Sequence, residues 1–121
     1  MNFERLLDGI ISISDSIRFV FVTNAQGKIV HSKVSTNSFL LDSNQASVLG
    51  VDMQVLRQLL KLYDEIIGAN TAVHLVRDKV HVLIYYVGQW TILVGCDSEI
   101  DRHKLTDISL ETESLVNKAL K

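Results

Sequence analysis

With 121 residues, 47% of them hydrophobic and 21% charged, the chain has the size and composition of one globular domain with its own core. A formal net charge of −2, with twelve Lys and Arg scattered along the sequence, excludes the clustered basic footprint of a nucleic-acid-binding surface. The lone cysteine, Cys96, excludes an internal disulfide framework and fits a reducing compartment. Glu4 and Asp8 interrupt the first residues where a secretory signal would be basic and then uniformly apolar. The longest apolar run, Val82 to Val87, is far shorter than a membrane span. The expectation is a single domain over residues 1–121, cytoplasmic, with no membrane insertion.

Taken in chain order, Phe3, Leu6, Leu7, Ile10 and Ile11 recur at the spacing of a helix buried on one face, with Asn2 as its cap. Ile17–Thr23 (IRFVFVT) is rich in aromatic and β-branched residues and predicts a strand, and Lys28–Val34 (KIVHSKV) predicts its antiparallel partner. Between them Asn24–Gly27 is a tight-turn signal, because Asn and Gly tolerate left-handed backbone. The mixed segment STNSFLLDSN predicts a connection. A helix is expected from Ser47 or Asp52 to Ile67, stopped by Gly68 or Asn70.

Three strand-like runs follow: Thr71–Arg77, Val80–Val87 and Trp90–Cys96, separated by Asp78-Lys79 and Gly88-Gln89. Their short spacers predict a meander of adjacent antiparallel strands. Ser98 opens a capping signature, SEID, for a last helix carrying Leu105, Ile108, Leu115, Val116 and Ala119, with Leu110 off the face. The order is α-ββ-α-βββ-α, an α+β fold with a five-stranded antiparallel sheet. Both alternating faces of VHVLIYYV and WTILVGC are largely apolar, so helices should cover both sides of that sheet.

The middle helix carries more apolar surface than a sheet requires. At about 100° per residue, Val48, Val55, Leu59 and Ile66 point one way, and Leu49, Leu56, Leu60 and Ile67 roughly 100° away. Val51, Leu62 and Met53 widen the arc to about 200°, against the roughly 100° of one packed stripe. Leaving four or five such side chains in water forgoes on the order of 1.5–3 kcal/mol each. Either the connection Ser35–Asn44, with Phe39, Leu40 and Leu41, folds over the excess, or a second chain covers it. The second is the preferred reading.

This order of elements and its wording resemble the roadblock/dynein light chain domain family, in the longin-like and profilin-like group. ERLLDGIISI leading into FVFVTNAQGKIVHS resembles the family's opening helix and hairpin; HLVRDKVHVLIYYVGQWTILVGCDSEID resembles its meander and the turn into its last helix. The resemblance spans nearly the whole chain. It implies the middle helix on one sheet face and the terminal helices on the other. It also implies a dimer, with itself or with a paralogous roadblock-like chain, formed by pairing middle helices and joining edge strands. Here that interface would use Val55, Leu59, Leu62 and Ile66 from the helix and Val73, His74 and Leu75 from the strand. Function by analogy is a scaffold or regulator of a small GTPase or of a related signalling or motor complex.

Other chemistry is thinly signalled. His74 and His81 could share one face of the hairpin around Asp78-Lys79, at a diagonal spacing within reach of a common ion. A transition-metal site wants a third or fourth ligand, and the candidates are Cys96 and His31, the latter on a different strand pair. The expectation is therefore strand histidines, no metal and no cofactor, with a pH-sensitive contact by His74 at a dimer edge as the lesser alternative. Cys96 ends an apolar strand, where a buried thiol is inert. Gly27, Gly88 and Gly95 suit turns or close packing, and no phosphate-cradling loop occurs. Asp97, Glu99 and Asp101 suit a helix start better than a calcium loop. No paired titratable groups suggest an enzyme. The alternative function is a small-molecule sensor of the PAS type, which shares the ββ-α-βββ order but places several short helices before its third strand and needs a cavity.

Overall fold

The computed structural model describes residues 2–35 and 43–120. Its elements are α1 (Phe3–Ile11), β1 (Ile17–Thr23), β2 (Ile29–Val34), α2 (Ser43–Leu60), a 3-10 turn (Lys61–Tyr63), α3 (Asp64–Ile67), β3 (Ala72–Val76), β4 (Val80–Val87), β5 (Trp90–Asp97) and α4 (Arg102–Leu120). The five strands form one antiparallel sheet in the order β2-β1-β5-β4-β3. The first and last strands of the meander thus flank β4, and β5 closes against β1. The expected fold class is the one observed.

Alternation along the strands builds two cores. Ile17, Val20, Val22, Leu83, Tyr85, Val87, Ile92, Val94 and Cys96 face α1 and α4, where Phe3, Leu6, Leu7, Ile10, Leu105, Ile108 and Val116 meet them. Phe19, Phe21, Val82, Ile84, Tyr86 and Leu93 face the opposite way, toward Ala46, Leu49, Met53 and Leu60 of α2. The continuous apolar runs of β4 and β5 are therefore explained by burial on both faces. Gly95 keeps β5 close to β1: a Cβ there would lie 2.0 Å from the Phe19 ring.

Local signals act as expected at the first helix and hairpin. The Asn2 side chain accepts a hydrogen bond from the Arg5 amide at 3.0 Å. Asn24 Oδ1 accepts from the amides of Gln26 and Lys28, and Gly27 takes a positive φ of 80°. At the last helix the cap is different. The Asp101 carboxylate, not Ser98, accepts from the Lys104 amide at 2.8 Å, and the helix starts at Arg102. The strand delays it: the Asp97 amide donates to the Ser16 carbonyl and the Asp97 carboxylate pairs with Arg18, which holds β5 extended through Asp97.

The middle helix differs from its sequence reading at its start and in its continuity, while its end at Ile67, before Gly68, is as expected. It begins at Ser43, upstream of Ser47 and Asp52, because Ala46 and Gly50 lie on its inner face. A Cβ on Gly50 would stand 2.6 Å from the Gly27 carbonyl, so the helix seats directly on the β1–β2 turn. At its other end the helix tightens into the 3-10 turn before one more α-turn, and Gly68, at φ 87°, ends it. Most of the connection with Phe39, Leu40 and Leu41 lies outside the described residues, and so does the alternative in which it covers the helix. No helix among the described residues is long and apolar enough to cross a membrane.

Candidate interaction surface

The two apolar stripes of the middle helix divide between the inside and the outside of the chain. Leu49, Met53 and Leu60 pack inward on the Phe19, Phe21 and Tyr86 side of the sheet. Val48, Val51, Val55, Leu59, Leu62 and Ile66 run along the outside at intervals of three and four residues, so they form one line on the helix surface. Val55 and Leu59 are each more than half exposed, Leu62 is 73% exposed and Ile66 80%. Single exposed apolar residues are common, but a contiguous row across several helical turns marks a surface that excludes water by covering something else. Even helical spacing assigns Ile67 to the inner stripe. The 3-10 turn changes the phase, and Ile67 is 80% exposed, with Tyr63 also on the outside.

Arg57 ties this helix to the β4–β5 turn. Its guanidinium donates to the carbonyls of Trp90 (3.2 Å) and Gly88 on the β4–β5 turn, and it lies 4.9 Å from the centre of the Tyr86 ring. Helical spacing puts Arg57 on the polar arc and does not reveal this role, because the turn it reaches is 31 residues away. Burial raises the Tyr86 hydroxyl above its ordinary pKa, and the nearby Arg57 charge opposes that rise.

Strand β3 lies beside this helix at the edge of the sheet, paired with β4 alone among the described strands. Such an edge presents a row of backbone donors and acceptors on which another strand can add. Its side chains divide by face. Val73 and Leu75 are half-buried and pack against the α2-side core, while His74 and Val76 are exposed on the α4 side. The expected interface residues thus fall into an exposed helical row, two half-buried residues beneath that helix, and one histidine on the far face. Exposed Val76 escapes the sequence reading; its alternation with His74 in TAVHLVR was the available signal. A groove of about 580 Å³ runs between the start of α2 and the edge, lined by Val48, Leu49, Met53, Leu75 and Val82.

On the α4 side, His74 Nε2 and His81 Nδ1 are 3.0 Å apart, across the diagonal of the β3–β4 pair. Burial, and secondarily His81, lowers the pKa of His74. His31 is at the opposite edge, stacked on Phe3 with ring centres 4.7 Å apart. Cys96 sits across β4–β5 from His81 but is fully buried, and burial pushes its thiol up to about 12. No three His, Cys, Asp or Glu side chains converge among the described residues. Tyr85 reaches the Ser109 carbonyl (3.2 Å) and hydroxyl (3.1 Å) of α4, and burial raises its pKa to about 12. Where a PAS-type chain would place several short helices, the described residues form one dominant 18-residue helix followed by the 3-10 turn and the four-residue α3.

No protein-family model matches the sequence, and no curated protein matches it significantly. Solved structures do. The Roadblock/LC7 domain from Streptomyces avermitilis superposes with a TM-score of 0.76 at 15% identity, covering 98% of this chain and 95% of that one. The gliding protein MglB from Thermus thermophilus gives 0.77 at 7% identity, covering 97% and 87%. Profilin IA from Acanthamoeba castellanii gives 0.65 at 5% identity, covering 98% and 99%. At these identities the likeness speaks for architecture alone, and on it the chain has the roadblock/longin-like fold of the profilin-like group.

Proposed function

We propose that the chain acts as a single-domain, non-catalytic interaction module of the cytoplasm. It dimerises through α2 and β3, with itself or with a related roadblock-like chain, and serves as a scaffold or regulator of a small GTPase or related signalling or motor complex. The observation that carries the dimer is the exposed row Val48, Val51, Val55, Leu59, Leu62 and Ile66 beside an open strand edge. Burying the exposed part of such a row against a copy of itself would contribute on the order of 25 cal/mol per Å² of apolar surface. A two-fold contact is the economical way to cover it, because the same patch serves both partners. MglB, a structural neighbour, has been solved in a tetrameric arrangement, which supports assembly as a use of this fold. The GTPase step rests on the family resemblance and is an analogy of fold.

The test is the mass in solution of wild type and Leu59→Glu by light scattering, with circular dichroism as the check on folding. Wild type should be a dimer and Leu59→Glu a folded monomer, since Leu59 is exposed within one chain. A wild type that stays monomeric across micromolar concentrations would overturn the homodimer. Leu60→Glu, which places a charge on the inner stripe, should instead unfold the protein.

A further inference from the structure

Among the described strands β3 pairs with β4 alone, and His74 and His81 add a side-chain tie across that pair. His81 lies opposite Val76, so the two histidines are diagonal neighbours on the α4 face. Nitrogens 3.0 Å apart between ring centres 5.1 Å apart describe an end-on contact, in which one ring donates its N–H to the other. We propose that His74 and His81 form a proton-operated latch that holds edge strand β3 against β4 at neutral pH and loosens it on acidification.

The proton count decides when the latch opens. In the neutral pair a single hydrogen lies between His74 Nε2 and His81 Nδ1. The first proton taken up goes to an outward nitrogen, and the bond persists with a charged donor. The second leaves both facing nitrogens protonated, so neither can accept, and it sets two like charges end to end. The surroundings offer no relief. Among the described residues no carboxylate lines the groove beside the pair, and Arg102 of α4 is its one permanently charged group. Cys96, opposite His81 on β5, stays a neutral thiol because burial pushes it up to about 12. Asp78 and Lys79 of the hairpin turn do not line the groove. The lowered pKa of His74, caused by burial and then by His81, has the same direction. Loosened, β3 takes up both protons near the ordinary histidine value of about 6.5, whereas the closed pair takes up the second only at lower pH. Closure is therefore fully favoured above about pH 6.5 and declines as pH falls below it. Both rings belong to one chain, so the latch does not depend on the dimer; where β3 joins a second chain, its loosening weakens that joint as well.

Two measurements on the full chain test this. In an NMR pH titration of the wild type, the His74 and His81 rings should titrate as a coupled pair, in two steps separated by more than about one pH unit. That readout needs no variant to fold. Amide hydrogen exchange, corrected for its intrinsic pH dependence, should show β3 protection falling about tenfold from about pH 7 to about pH 5, the factor that one unit of pKa mismatch represents. His81→Gln keeps a hydrogen-bonding side chain but cannot charge, and it should abolish the fall. His31→Gln and His103→Gln should leave the fall in place. Rings that titrate independently, β3 protection that stays level, or a fall that survives His81→Gln would overturn the latch. The folded monomer expected of Leu59→Glu should show the same coupled titration and the same fall, which separates this result from that of the dimer.

Discussion

Glycine at position 50 illustrates how a residue with no side chain positions a helix. Any Cβ there would meet the Gly27 carbonyl at 2.6 Å, and one at Gly27 would meet the backbone of Val51 at 2.8 Å. Backbone cannot move aside as a flexible side chain can. Gly50→Ala should therefore destabilise the protein by about 1–3 kcal/mol, read from chemical denaturation. Two buried titratable groups set the alkaline limit. Tyr85 and Cys96 both have folded-state pKa values raised to about 12. Once the chain unfolds they lose protons at their ordinary, lower values, so their contribution is intact below about pH 9 and declines as pH rises toward 12. The denaturation midpoint should fall over that range, and less steeply in Tyr85→Phe. That variant should also be weaker at neutral pH by about 0.5–1.5 kcal/mol, for the lost bonds to Ser109.

At the scale of elements, the middle helix was legible in its apolar rows and illegible at its start. Leu49, Met53 and Leu60 announced a packed face, but the first turns are held by Ala46 and Gly50, whose small size is their function and carries no hydrophobic signal. The last helix shows the opposite limit. Ser98 has the right local spacing for a cap, yet Asp101 takes the role because Arg18, a residue 79 positions away from Asp97, keeps β5 extended. Asp101→Ala should cost about 1 kcal/mol in thermal or chemical unfolding, whereas Ser98→Ala should have little effect. The His74–His81 approach was legible as a diagonal pair, since strand alternation and a two-residue turn fix it, but its 3.0 Å distance was not.

For the whole molecule, the sheet order brings the exposed row of α2 beside an open strand edge, while the two histidines open on the other face. In the proposed dimer, association stabilises the folded state by mass action. The melting temperature of wild type should accordingly rise with protein concentration, and that of Leu59→Glu should not.

The sequence by itself determined the number and order of the strands, the five-stranded antiparallel sheet and the excess of apolar surface on the middle helix. These depend on periodicity and turn chemistry, which act between near neighbours. Only the tertiary structure decided that Ile67 leaves the inner row, where that helix begins, what Arg57 holds, and that Asp101 caps the last helix. Each of these depends on groups far apart in the chain approaching within a few ångströms, and local pattern contains no record of such distances.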